Sequence, residues 1–108
     1  MHFLNNEIWE NKIFNGAWTK AGSSFISKEV ATQSELGVFG QASTEDVVNS
    51  SRDAKEAQKE WMDLTYQDRI NVFENAVRIA EDNAEEIITW LIKESGSLRL
   101  KAQFELQL

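Results

Sequence analysis

The chain has no cysteine and no proline, and its one histidine stands at position 2. Without cysteine there is no disulfide, no thiolate nucleophile and no Cys-ligated zinc or iron–sulfur site. A lone histidine near the start of the chain leaves no Ser-His-Asp triad and no multi-His metal site. Basic residues are scarce as well: 11 Lys+Arg against 18 Asp+Glu give a net charge of −7, which disfavours nucleic acid and anionic membrane as partners. No apolar run approaches the roughly 20 residues that cross a bilayer. No basic segment followed by an apolar one opens the chain, so no export signal is visible and a cytoplasmic location is expected. What remains is 42% apolar and 27% charged residues over a length of 108. That is too apolar for disorder at this charge, and it suits one small domain or part of a larger one.

The sequence divides near Ser43 into a strand-like half and a helical half, with no internal repeat. Residues 1–11 read as a frayed leader. In Lys12–Trp18, Asn15-Gly16 is flanked by Ile13, Phe14 and Trp18. Asn-Gly predicts a two-residue type I′ hairpin, because that turn needs positive φ at both central positions. An isolated surface turn is the plainer alternative. A second turn is expected at Ala21-Gly22-Ser23, followed by a strand over 24–30. Polar Thr32–Glu35 reads as a turn, and Leu36–Ala42 as another strand weakened by Gly37 and Gly40. Two or three short antiparallel strands over 12–43 need helices or further strands against them to be stable.

Residues 44–108 carry helix punctuation. Ser43 or Thr44 can cap a first helix, with Glu45 and Asp46 at the positive end of its dipole. Val47, Ala54, Ala57 and Trp61 share one face; Lys55, Glu56, Lys59 and Glu60 make the wet face. Thr65 with Asp68 is a capping-box pattern for a second helix, whose stripe is Ile70, Phe73, Ala76, Val77 and Ala80. Asn83 with Glu86 repeats the pattern for a third, with Ile87, Ile88, Leu91 and Ile92 buried. Gly96 ends it, since glycine enters the left-handed region cheaply. Ser97 then caps a last segment. There Leu98, Leu100, Ala102, Phe104, Leu106 and Leu108 alternate with period two, which suits a strand, while the residue types favour helix. A helix with this pattern is apolar all round and must be covered by something. A chain cut short or a dimer contact each explain that need. The fold class expected is α+β: hairpins followed by three or four helices.

Each candidate for chemistry has a plainer structural reading beside it. Glu94, within Lys93-Glu94-Ser95-Gly96-Ser97, could act as a base, but the stretch has the makeup of a helix C-terminus. Gly37-Val38-Phe39-Gly40 lacks the Gly-x-Gly-x-x-Gly spacing of a dinucleotide loop. Trp18, Trp61 and Trp90 could stack on a ligand, yet at these spacings they suit core or interface. Glu81-Asp82 and Glu85-Glu86 have no further hard ligand at fixed spacing, and no basic and aromatic stripe marks a nucleic-acid surface. Catalytic, cofactor-binding and metal residues are therefore all assigned as none.

The order of the pieces nonetheless resembles the N-terminal segment of the NAD(P)-dependent aldehyde dehydrogenase superfamily. KIFNGAWTKAG (12–22) is similar to the family's opening strand pair, and ATQSELGVFGQAS (31–43) to its next one around a Thr-x-x-Glu turn. STEDVVNSSRDAKEAQKEW (43–61) is similar to its first helix, YQDRINVFENAVRIAEDNAEEI (66–87) to its second, and KESGSLRLKAQFE (93–105) to the Glu-x-Gly segment that follows. Trp90–Ser97 and Lys101–Glu105 are most similar to the branch acting on benzaldehyde and other aromatic aldehydes. Three positions depart from the family pattern: Val30 stands where proline is usual, Gln33 where glycine is frequent, and Ser97 where lysine follows the glycine.

The resemblance implies that residues 1–108 are the first segment of a cofactor-binding domain in an α/β aldehyde dehydrogenase fold. It implies an enzyme that oxidises an aromatic aldehyde to its carboxylic acid with NAD, by thiolate attack, hydride transfer and thioester hydrolysis, and that assembles as a homo-oligomer. The catalytic Cys, the general-base Glu and the oxyanion-hole Asn of that family match no position here. The segment is accordingly expected to be an inactive scaffold that binds no cofactor by itself. A self-sufficient α+β interaction module, dimerising through Leu98–Leu108, is the alternative from a different class.

Overall fold

The computed structural model describes residues 5–107. In chain order these form α1 (Asn6–Trp9), β1 (Lys12–Phe14), β2 (Trp18–Lys20), β3 (Ser23–Lys28), β4 (Glu35–Gln41), α2 (Thr44–Asp63), α3 (Tyr66–Asp82), α4 (Ala84–Ser95) and α5 (Arg99–Gln107). The class is α+β, as the composition of the two halves predicts.

The first hairpin pairs β1 with β2 in the register Phe14↔Trp18 and Lys12↔Lys20. Its connection is therefore the three residues 15–17, and Asn15 donates to the Ala17 carbonyl at 3.2 Å. Gly16 has φ +103 while Asn15 keeps a negative φ. The hairpin is where Asn-Gly puts it, but the turn is not type I′: Phe14 and Trp18 meet edge to face across the non-covalent pair at 5.3 Å, which fixes the strand ends one residue further apart. The second hairpin pairs β3 with β4, with a register shift between Ser27 and Lys28. The two hairpins join through a bridge between Glu10 and Phe39 and through Asn11 donating to Val38 at 3.0 Å, while Ala21 donating to Asn11 at 2.9 Å extends the first hairpin by one pair. Residues Asn5–Asn11 thus carry helix and bridge where the sequence suggests a frayed leader. His2 and Leu108 lie outside the described residues.

The helix starts follow local chemistry. Ser43 and Thr65 both form reciprocal capping boxes, with Asp46 and Asp68 respectively. Asn83 does not: it stands before α4, but its side-chain amide donates to the Ile79 carbonyl at 2.7 Å and closes α3 instead. Gly96 ends α4 at φ +69, its amide donating to Ile92. Ser97 does not cap α5; its hydroxyl shares a 2.7 Å hydrogen bond with that of Ser95. The last segment is helical despite its period-two pattern, because Leu, Lys, Ala, Gln and Glu all favour helix.

Burial is sparse. Among the described residues the buried apolar side chains are Trp9, Ile88 and Ala102. Ile87, Leu91 and Ile92 are half-buried around Ile88. α2 and α3, of 20 and 17 residues, bury none of their apolar residues fully. The radius of gyration is 16.5 Å, against roughly 13 Å for a compact domain of this length. The helical layer is thus spread out and lies open on its apolar side.

Candidate functional site

The stretch 93–97 sits where a helix ends. The Lys93 carbonyl accepts the Val30 amide at 3.0 Å, the Ser95 hydroxyl donates to Leu91 at 2.5 Å, and Gly96 supplies the left-handed cap. These bonds terminate α4 and tie its end to the turn after β3. Glu94 lies at the rim of an open depression of about 280 Å³ lined with Trp9, Lys12, Trp18, Phe39 and Trp90. Its ionisable companion there is Lys12, and no second acid or hydroxyl nucleophile lines the depression among the described residues.

Of the three tryptophans singled out in the sequence, Trp18 and Trp90 line this one depression. Trp90 on α4 belongs to an aromatic cluster with Trp9 and Phe39: Trp9 stacks on Phe39 at 4.6 Å and meets Trp90 edge-on at 5.8 Å, and Phe25 continues the stack at 5.8 Å from Phe39. Trp61 lies apart, edge-on to Phe73 at 6.2 Å between α2 and α3. The sequence reading missed Trp9, whose only sign was a large aromatic residue in a segment read as frayed.

The glycines of β4 serve close approach. A Cβ at Gly37 would lie 2.5 Å from Trp9 Cη2, and one at Gly40 would lie 2.4 Å from the Lys12 carbonyl oxygen. At both positions the space a side chain would take is filled by neighbouring protein atoms.

The acids are solvated. Glu85 pairs with Arg99, whose single nitrogen reaches both carboxylate oxygens at 2.7 and 2.5 Å, and Lys59–Glu56 and Lys101–Glu105 are exposed pairs. No group of three or more His, Cys, Asp or Glu able to hold a metal occurs among the described residues.

A dinucleotide pyrophosphate needs free helix N-terminal amides and positive potential. Here the amides of Asp46 and Asp68 are taken by the Ser43 and Thr65 hydroxyls. Carboxylates stand in the first turns of α2, α3 and α4. The Ser43 amide and hydroxyl donate to Asp46 and hold its carboxyl below the ordinary value of 3.8, so that helix start stays anionic. These residues do not fit the cofactor.

What the chain does present is uncovered apolar surface. Val47 and Val48 on α2 and Phe73 and Val77 on α3 are all exposed, Phe73 by 64%. A groove of about 730 Å³ runs between α3, α4 and α5, with Val77, Ala84, Ile88, Leu100 and Phe104 in its lining. Leu98 and Leu100 are each 79% exposed. Contiguous apolar surface of this kind marks a protein–protein contact. No described helix is long and apolar enough to cross a membrane.

Comparison with known proteins gives these faces a context. The model of the aldehyde dehydrogenase family matches residues 18–108. A vanillin dehydrogenase of Amycolatopsis sp. is 41% identical over 107 residues, covering 98% of this chain and 22% of its own length. A benzaldehyde dehydrogenase (NAD(+)) of Pseudomonas putida is 29% identical over 99 residues, covering 91% of this chain and 20% of its own. The crystal structure of an NAD-dependent benzaldehyde dehydrogenase from Corynebacterium glutamicum superposes with a TM-score of 0.80 at 32% identity, over 99% of this chain and 23% of that one. The chain spans about a fifth of the length of these relatives, and it corresponds to their N-terminal part. With the family model covering most of its residues and the fold matching as well, the chain belongs to the aldehyde dehydrogenase family.

Proposed function

We propose that these residues are the N-terminal scaffold of an NAD-dependent enzyme that oxidises an aromatic aldehyde of the benzaldehyde type to its carboxylic acid. The observation that carries this reading is the 32% identity and TM-score of 0.80 to an NAD-dependent benzaldehyde dehydrogenase over 99% of the chain. The exposed faces of α2, α3 and α5 support it, since a scaffold segment leaves such faces for the remainder of its polypeptide to cover. The carbonyl chemistry falls to groups outside these residues, because a chain without cysteine has no thiolate with which to attack an aldehyde. Helix starts blocked by their own carboxylates likewise leave cofactor binding to other segments. The assembled enzyme is a cytoplasmic homo-oligomer in this reading.

The test is a chimera in which this chain replaces the matched N-terminal stretch of the Amycolatopsis vanillin dehydrogenase. The chimera is expected to form NADH from vanillin or benzaldehyde. The 108-residue chain alone is expected to form none and to give no heat with NAD in calorimetry. A soluble chimera without aldehyde oxidation, or micromolar NAD binding by the chain alone, overturns the proposal. Sedimentation of the chain alone as a discrete, stable dimer would favour the interaction-module alternative.

A further inference from the structure

The family model begins at Trp18, yet the best-buried aromatic residue described lies before it. Trp9 is 8% exposed and ends the single-turn helix α1. Its ring lies flat on Phe39 of β4 and edge-on to Trp90 of α4. It can do so because position 37 has no Cβ: an added carbon would stand 2.5 Å from Trp9 Cη2 and 3.0 Å from Cζ3. Two side-chain hydrogen bonds from residues flanking α1 hold the backbone of Glu7 within it. Asn5 accepts the Glu7 amide at 3.1 Å, and Lys12 Nζ donates to the Glu7 carbonyl at 2.9 Å. Asn11, at φ 55, turns the chain so that its amide reaches Val38 and its carbonyl accepts Ala21. Asn tolerates this left-handed conformation better than most residues. Gly40 then admits the Lys12 carbonyl against β4.

We propose that Asn5–Asn11 is a strap, keyed by Trp9 into the notch opened by Gly37, that fixes both hairpins and α4 in one relative position. The strap is a positioning element lying ahead of the segment the family model describes. The three structures it joins meet at Trp9: Phe39 represents the second hairpin, Trp90 represents α4, and Asn11 leads directly into β1. The lock is mutual, since the ring needs the missing Cβ and the two backbone bonds of Asn11 need the ring's placement.

Amide hydrogen exchange on the 108-residue chain tests this. The amides of Asn11 and Ala21 are expected to be protected, and Trp9→Ala to reduce that protection by about tenfold or more. Trp9→Phe, which keeps a flat ring in the notch, retains most of it. Gly37→Ala is expected to act on the same amides by excluding the ring. The double variant Trp9→Ala with Gly37→Ala falls no lower than the weaker single variant, because the two changes break one contact. Amides within α2 stay unchanged throughout. Unprotected Asn11 and Ala21 in the unsubstituted chain, equal protection in Trp9→Ala, or losses that add in the double variant would each overturn the strap.

Discussion

Two regions of the molecule are built on opposite principles. Around Trp9, Phe39, Trp90, Ile88 and Ala102, side chains from distant parts of the chain bury one another. In α2 and α3, order rests on neighbours in sequence: capping boxes at Ser43 and Thr65 and the exposed Lys59–Glu56 pair. The helices with the better caps are the ones with the least burial. Capping defines where a helix begins, and it stabilises by about 1 kcal/mol. It does not cover an apolar face, and most helical stability in proteins comes from packing such a face rather than from local propensity. The long helices are therefore specified locally but held only when something lies on them.

Substitutions can break or sharpen that contrast. The largest effect is expected in the packed region: Ile88→Ala should cost α4 and α5 about 2–5 kcal/mol of local protection, read as faster amide exchange in both helices. Equal exchange in the variant and the parent chain would mean that Ile88 is not a core residue. Removing a local signal should act more weakly and on one helix. Thr65→Ala should lower the stability of α3 by about 1 kcal/mol, seen as lost helical circular dichroism with α4 unaffected. Smaller still is a change on the open face. Val47→Ser, at a residue 56% exposed, should shift stability by no more than about 0.5 kcal/mol in this chain and by distinctly more in the vanillin dehydrogenase chimera. Similar shifts in both would show that the α2 face is not covered there.

The mildest effect is acid sensitivity at the start of α2. The folded Asp46 carboxyl lies below its ordinary value of 3.8 because the Ser43 amide and hydroxyl donate to it. Its contribution is therefore complete above that value and disappears as pH falls through the lower, folded value. Fraying of the first turn of α2 is expected only below pH 3.8, and Asp46→Asn should abolish this pH dependence. Helix loss starting above that pH would point to other carboxylates.

The legible parts of the fold were those encoded in short stretches. Ser43 with Asp46, Thr65 with Asp68, and Gly96 each announce a helix end through bonds to residues nearby. The turn at Asn15-Gly16 was visible but not its length, since Phe14 and Trp18 set the register by contact across the strands. Asn83 misled because one amide can serve either of two adjoining helices, and it closes the earlier one. In Leu98–Leu108 the residue types outweighed the alternation: the segment is a nine-residue helix that buries Ala102 and turns Leu100 and Phe104, four residues apart, into the groove beside α3 and α4. Trp9 was illegible, as its partners are tens of residues away. The departures from the family pattern carried more information than they first offered. Val30, where proline is usual, uses the amide that proline lacks to reach the Lys93 carbonyl.

The turn before β4 holds a last consequence. Gln33 occupies φ 63, a backbone angle that glycine visits freely and a side chain resists. It is kept there by its backbone amide donating to the Glu29 carbonyl, by its carboxamide donating to the Val30 carbonyl, and by the Glu29 amide donating to the Ser34 carbonyl nearby. The bend therefore owes its shape to a lattice of bonds rather than to conformational taste. A glycine at this site would surrender the Val30 anchor and gain ease of rotation, so two unlike residues can serve one geometry, each by a different means.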